Sequence, residues 1–286
     1  MDEVISAILV YGTLWGATYS LLALGLTLIY GVGKIVNLAH GAFIMLSAYF
    51  FYYFLVLGGV NYVASFLLAI LCVIALAVLM YVLAIHPIRQ SEMSVLTITF
   101  GLGLVFQYVI LLTFGPLSKS VPYIFSGTMT FLGTTVETQF ASVIIAFVIS
   151  CALLSLFLSR FKVGKAVRAV AQDGEAAEAF GISTFRIYIL TMGIAAALAG
   201  VASVLVAPTY ALFPGMGWEP MVTVFAILIF GGLGSIKGTI LASFILGYTR
   251  NAVSLVFSPA YGPVVALVVL IAVILVRPSG IFGRGV

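Results

Sequence analysis

The chain has 286 residues, 64% hydrophobic and only 7% charged, with a net charge of +4 and a mean hydropathy of +1.31. Soluble domains are about one-quarter charged, so this composition excludes a soluble fold and points to one membrane domain over residues 1–286. A pI near 9.1 does not mark a nucleic-acid binder here, because the basic residues have a topological use.

A spanning helix needs roughly 20 mostly apolar residues, since backbone polar groups in hydrocarbon must be satisfied within the segment. The first such run, 4–30, follows a start (MDEVISAILVYG) with two acids and no Lys or Arg. That is unlike the basic start of a cleaved leader, so the run is expected to be retained. It ends in a glycine-rich interruption, Tyr30-Gly31-Val32-Gly33-Lys34, which leads through Asn37 to His40 and Gly41. Runs at 39–57, 60–85, 95–114 and 140–158 follow. Cys72 and Cys151 lie inside two of them with no paired spacing and read as packing residues. His40 and His86 stand in different segments with no nearby carboxylate and read as structural hydrogen-bonders. Tyr49, Tyr52, Tyr53, Tyr210 and Trp218 sit near run boundaries, as interfacial anchors do.

Residues 160–186 hold eight of the twenty charged side chains. Val163, Val167 and Val170 follow helical spacing, which predicts an amphipathic helix with Lys165, Arg168 and Gln172 on another face. Asp173-Gly174 then breaks it. Asp173 is the expected N-cap of a second short helix, Glu175 falls in its first turn, and Gly181 can adopt the left-handed conformation that ends it. The segment 159–186 is therefore expected to be a bent helical pair at the membrane surface. Ala176, Ala177 and Ala179 leave it flat enough for close approach by another protein.

Four runs remain, at 187–206, 221–234, 240–257 and 263–276. The expected fold is an all-α polytopic bundle of about eight to ten spans, with broken helices in two pseudo-repeated halves. Between the second and third of these runs, Gly231-Gly232-Leu233-Gly234-Ser235 interrupts the pattern much as residues 30–41 do. Paired interruptions point to a translocation path, or equally to tight turns in which glycine escapes steric limits. Arg250, well inside the run 240–257, costs about 3 kcal/mol on insertion scales unless paired or wet. It reads as snorkelling to the outer interface or as lining a path and facing an anionic group. If 160–186 is cytoplasmic, alternation puts Arg89, Lys237, Arg277 and Arg284 with it, nine basic residues against Lys119 alone opposite. The N-terminus is thus expected outside and the C-terminus inside.

Reagents for catalysis are missing. There is no HExxH, CxxC or GxSxG, and neither Gly33-Lys34 nor Gly164-Lys165 is followed by a magnesium-holding Ser or Thr. No acid falls within the nine runs, which disfavours a proton relay.

The spacing Glu175-Ala-Ala-x-x-x-Gly181 resembles the EAA loop of permease subunits of ABC importers, the element that sits in a groove on the ATP-hydrolysing subunit. Gly25-Leu-Thr-Leu-Ile-Tyr-Gly31 with Asn37-Leu-Ala-His-Gly41 resembles the early signature of branched-chain amino acid permeases of the LivH type. Gly231-Gly-Leu-Gly-Ser235 with Gly238 is similar to that family's later glycine segment, and Arg277-Pro-Ser-Gly-Ile-Phe-Gly-Arg284 to its tail. Ala42 stands where many relatives carry an acid, and the family includes permeases for urea, short amides and aromatic acids, so the solute stays open.

The resemblance implies an ATP-driven importer in a prokaryotic cytoplasmic (inner) membrane, with branched-chain or related amino acids as solute. It implies two ATP-binding subunits that carry ATP and magnesium, no cofactor on this chain, a second, LivM-like permease subunit, and an extracytoplasmic solute-binding protein. ATPase coupling is expected at Asp173, Glu175, Ala176, Ala177 and Gly181, with Arg168 beside them. The solute path is expected at Asn37, His40, Gly41, Gly231, Gly232, Gly234, Ser235 and Arg250. The alternative is an ion-coupled secondary transporter, since unwound carbonyls coordinate sodium without acids.

Overall fold

The structure is a computed structural model that describes residues 2–277 and 279–282. Its helices are α1 (Asp2–Gly33), α2 (His40–Tyr52), α3 (Tyr62–Met80), α4 (Glu92–Phe114), α5 (Gln139–Arg160), α6 (Lys162–Gln172), α7 (Gly174–Ala179), α8 (Thr184–Val206), α9 (Trp218–Gly231), α10 (Ile236–Val256) and α11 (Gly262–Val276). A π-helical turn continues α2 to Leu57, and another continues α3 to Ile85. Among the described residues eight helices are long and apolar enough to cross a membrane, and α9 is a shorter apolar helix. Each of the nine apolar runs is mainly helical.

The expected helical bundle is what the chain forms, and one short hairpin is added to it. β1 (Thr128–Phe131) and β2 (Thr134–Glu137) pair antiparallel. Leu132 and Gly133 both take positive φ, +51° and +77°, the two-residue turn whose twist matches flanking strands. The hairpin packs on the start of α1, where Val10 and Leu14 meet Val136 and the Tyr11 hydroxyl donates to the Thr135 carbonyl at 3.1 Å. It marks one face of the bundle; α6 and α7 mark the other.

α1 runs from the hairpin face to the α6 face, and α10 returns beside it. Glycines line the seam and let the two helices pack closely: a Cβ on Gly247 would lie 2.6 Å from the Gly16 amide nitrogen. Small residues allow this where apolar burial gives no net drive between helices in lipid. The Thr27 and Thr239 hydroxyls bond at 2.7 Å in the buried seam. α1, α2 and α8 form the interior, whereas α4, α5 and α11 keep most of their surface exposed.

Two helices start inside the bundle. After α1 ends, residues 34–39 fold back, and α2 begins at His40, whose Nε2 lies 3.0 Å from the Leu22 carbonyl at the middle of α1. From the opposite face, residues 207–217 turn inward after α8 and α9 begins at Trp218. The two starting points touch: a Cβ on Gly41 would lie 2.7 Å from the Gly217 carbonyl oxygen. The counterpart of the 34–39 break is therefore 207–217. The Gly231–Ser235 interruption is a tight turn between α9 and α10, with Gly232 at φ +97° and Gly234 at +80°. It nevertheless meets the first break, since a Cβ on Gly31 would stand 3.4 Å from Gly234 Cα.

The chain's last described residues fold onto α9. The amides of Ile281 and Phe282 donate to the carbonyls of Phe230 and Gly231 at 2.8 and 3.2 Å. Pro278 and Arg284 of the tail motif lie outside the described residues.

Candidate translocation chamber and coupling elbow

Helix α9 starts three residues before the apolar run does, so an acid that lies outside all nine runs joins a helix of the bundle. Glu219 sits in its first turn, where the helix dipole favours a carboxylate. Arg250, on α10, meets it: Nη2 to Oε1 is 2.5 Å, with the arginine side chain 17% and the glutamate 53% exposed. The guanidinium also donates to the Tyr19 hydroxyl and lies over the Trp15 ring, 5.2 Å from its centroid. The arginine is paired, hydrogen-bonded and stacked against residues of neighbouring helices, so its charge has partners within the protein.

These groups belong to a chamber lined by α1, α2, α8, the 207–217 segment, α9 and α10. Leu22, Ile44 and Val206 are part of its apolar lining. Two hydroxyls on its wall are occupied by backbone, Thr18 donating to the Leu14 carbonyl at 2.9 Å and Ser203 to that of Ile44 at 2.5 Å. Tyr210, expected as an interfacial anchor, lines the chamber and is 41% exposed. Tyr49 is fully buried against Phe114, with ring centroids 5.0 Å apart. Trp218 donates to the Gln107 amide oxygen at 2.6 Å beside the Gly41–Gly217 contact. Of the expected anchors, Tyr53 is half exposed and fits that role.

Asn37 and His40 are fully buried and neither lines the chamber. The Asn37 amide oxygen accepts from the Ala39 amide at 3.0 Å, which fixes the entry to α2. His40 fills the space against Gly25, where an added Cβ would meet its ring at 3.0 Å. Gly231 abuts Gly238, and a Cβ there would come within 2.5 Å of that backbone. Ser235 caps α10, accepting from the Gly238 amide at 3.2 Å.

On the opposite face, α6 and α7 form an elbow. Asp173 accepts from the Ala176 amide at 3.0 Å and caps α7, Glu175 stands in its first turn, and Gly181 takes φ +80° beyond its end. The elbow is anchored by Val167, Val170 and Ala177, all buried, and by a hydrogen bond from the Thr184 hydroxyl to Glu178. Val163 is not part of the anchoring face; it is about half exposed, and Gly164 takes the seat because only a residue without Cβ fits against the Phe157 carbonyl. Arg168, Glu175 and Ala176 are exposed. Phe180 is 87% exposed. Sequence reasoning passed over it, although a large aromatic between Ala179 and Gly181 on a polar surface is the kind of residue that marks a protein contact.

The family described as branched-chain amino acid transport system / permease component matches residues 8–274. The high-affinity branched-chain amino acid transport system permease protein BraD of Pseudomonas aeruginosa is 33% identical over 96% of this chain and 95% of its own length. The corresponding LivH protein of Escherichia coli is 31% identical over 96% and 94%. A probable LivH permease of Methanocaldococcus jannaschii is 28% identical over 92% and 88%. The fold is similar to a chain of PsaBC from Streptococcus pneumoniae in complex with Fab, with a TM-score of 0.55 at 13% identity, covering 95% of this chain and 92% of that one. A glycine-seamed helical bundle with a capped surface elbow, matched along nearly its whole length, belongs to the family of permease components of branched-chain amino acid transport systems.

Proposed function

We propose that this chain is one of two permease subunits of an inner-membrane importer for branched-chain or related amino acids. ATP is hydrolysed on two separate subunits that dock from the cytoplasm onto α6 and α7. A LivM-like second permease completes the path, and a solute-binding protein delivers from the hairpin side. The N-terminus lies outside and the C-terminus inside, in keeping with the basic residues on the α6 face.

The observation that carries this reading is the elbow. It is fixed to the bundle by Val167, Val170 and Ala177 while Glu175, Phe180 and Gly181 face outward. A partner gripping that surface would move α5 and α8 with it, and rigid-body rocking of this kind alternates access in transporters. Along α1 the proposed path passes the chamber at Trp15 and Arg250, the Gly41–Gly217 contact, and the Gly31–Gly234 contact at the α6 face. Asn37 and His40 shape the narrowest stretch from behind, and the turn from Gly231 through Gly232 and Gly234 to Ser235 lets the inner end flex.

The test is reconstitution. Vesicles holding the assembled subunits should accumulate leucine only with ATP inside the ATPase compartment and with the binding protein present. Uphill accumulation by this chain alone, driven by a sodium gradient and no nucleotide, would replace the proposal with the secondary-carrier alternative.

A further inference from the structure

The chamber offers a ligand two opposite charges and a hydrocarbon lining. Arg250 and Glu219 meet there at 2.5 Å, and Leu22, Ile44 and Val206 line it as well. Thr18 and Ser203 already donate to backbone carbonyls, which leaves the guanidinium and the carboxylate as the strong polar groups facing the space.

Arg250 is held independently of its acid. The Tyr19 hydroxyl accepts from it, and the rings of Trp15 and Tyr19 stack against it at 5.2 and 5.7 Å. Glu219 is held independently of its base, by the first turn of α9. The two can therefore separate while each keeps a stabilising environment, and an arginine–carboxylate pair is a strong, directional one.

We infer that the Arg250–Glu219 pair, together with this apolar lining, is a transient binding site for zwitterionic α-amino acids with hydrocarbon side chains. The ligand's carboxylate takes the guanidinium, its ammonium takes the Glu219 carboxylate, and its side chain lies on Leu22, Ile44 and Val206. One internal ion pair is exchanged for two with the ligand, so the charge balance of the site is kept. Uncharged amides and urea satisfy neither end, and an acid without an amine satisfies one. The inference rests on the proposed importer function and supplies a selectivity within the permease that does not depend on the binding protein.

The experiment uses the assembled permease–ATPase complex in nanodiscs without the binding protein. Equilibrium binding of radiolabelled L-leucine is competed by leucinamide, which lacks the carboxylate, and by 4-methylpentanoate, which lacks the amine. On the wild-type complex both competitors should be weaker than leucine by roughly tenfold or more, as for loss of one partner of a desolvated charge pair. Arg250→Gln should erase leucine's advantage over leucinamide and keep its advantage over 4-methylpentanoate; Glu219→Gln should do the reverse. Should either variant fail to assemble, Arg250→Lys and Glu219→Asp should weaken leucine and shift the same competitor ratios in the same directions. A latch with no ligand role would change all three affinities equally or none, and that pattern overturns the inference. So does absence of saturable leucine binding in a wild-type complex that imports leucine when the binding protein and ATP are supplied; that import leaves the importer function standing, whereas its failure would strike the function itself.

Discussion

The elbow and the chamber handle charge in opposite ways. Across 160–186, eight charged side chains sit at the surface, and among the described residues none of them joins an ion pair. In the chamber two charges, Arg250 and Glu219, touch each other, and Arg250 has aromatic and hydroxyl partners besides. Exposed charges are hydrated and contribute little to stability; charges taken from water must be satisfied in place. The elbow's charge is thus free for a macromolecular partner, and the chamber's charge is committed until something with two charges of its own arrives.

Neither region functions without the seam between them, and the largest expected effect is there. Gly247→Leu would force α10 off α1, where even a Cβ comes within 2.6 Å of Gly16. Overpacking of this kind costs about 1–3 kcal/mol or more. The variant should be lost to aggregation, judged by size-exclusion chromatography in detergent, and both regions should fail together. A monodisperse, transport-competent variant would show that the seam does not link them.

Next in size, Phe180→Asp should reduce co-purification of the ATP-binding subunits by roughly tenfold or more, as expected for an aromatic hot spot. Since Phe180 is 87% exposed, helix content by circular dichroism should be unchanged and leucine binding in the chamber should persist. Retained ATPase with lost leucine binding would invert the assignment of the two regions.

Glu175→Arg and Gly181→Val should leave the complex assembled while lowering solute moved per ATP hydrolysed, with Gly181→Val strained at φ +80° by about 1 kcal/mol. Unaltered stoichiometry in both variants would separate the elbow from energy coupling. The smallest effect is Asp173→Ala. Loss of an N-cap costs about 1 kcal/mol, so amide exchange at the start of α7 should quicken severalfold with transport only modestly slowed. Equal exchange in both proteins would show that neighbours, and not the cap, hold α7.

The same contrast explains what could be read before the structure. The elbow's ends follow from local rules, so Asp173, Glu175 and Gly181 were legible from their spacing alone. Its anchoring face was not, because whether Val163 or Gly164 meets α5 depends on the Phe157 carbonyl that receives it. Helix positions in the bundle were equally plain from apolar runs of membrane length. The Arg250–Glu219 pair joins residues on different helices, and no periodicity relates them. The available signal was energetic: an arginine within a span requires a partner, and Glu219 at the edge of a neighbouring short helix was a candidate. The hairpin escaped because four-residue strands rich in threonine carry little pattern, and its turn uses Leu132 where asparagine is the usual cue.

The clasp of Ile281 and Phe282 on the end of α9 closes α10 and α11 into a loop. The two amides occupy the carbonyls of Phe230 and Gly231, the residues that lead directly into the Gly231–Ser235 turn. A shift of the tail is thereby passed to that turn through backbone alone, whatever side chains the two segments carry.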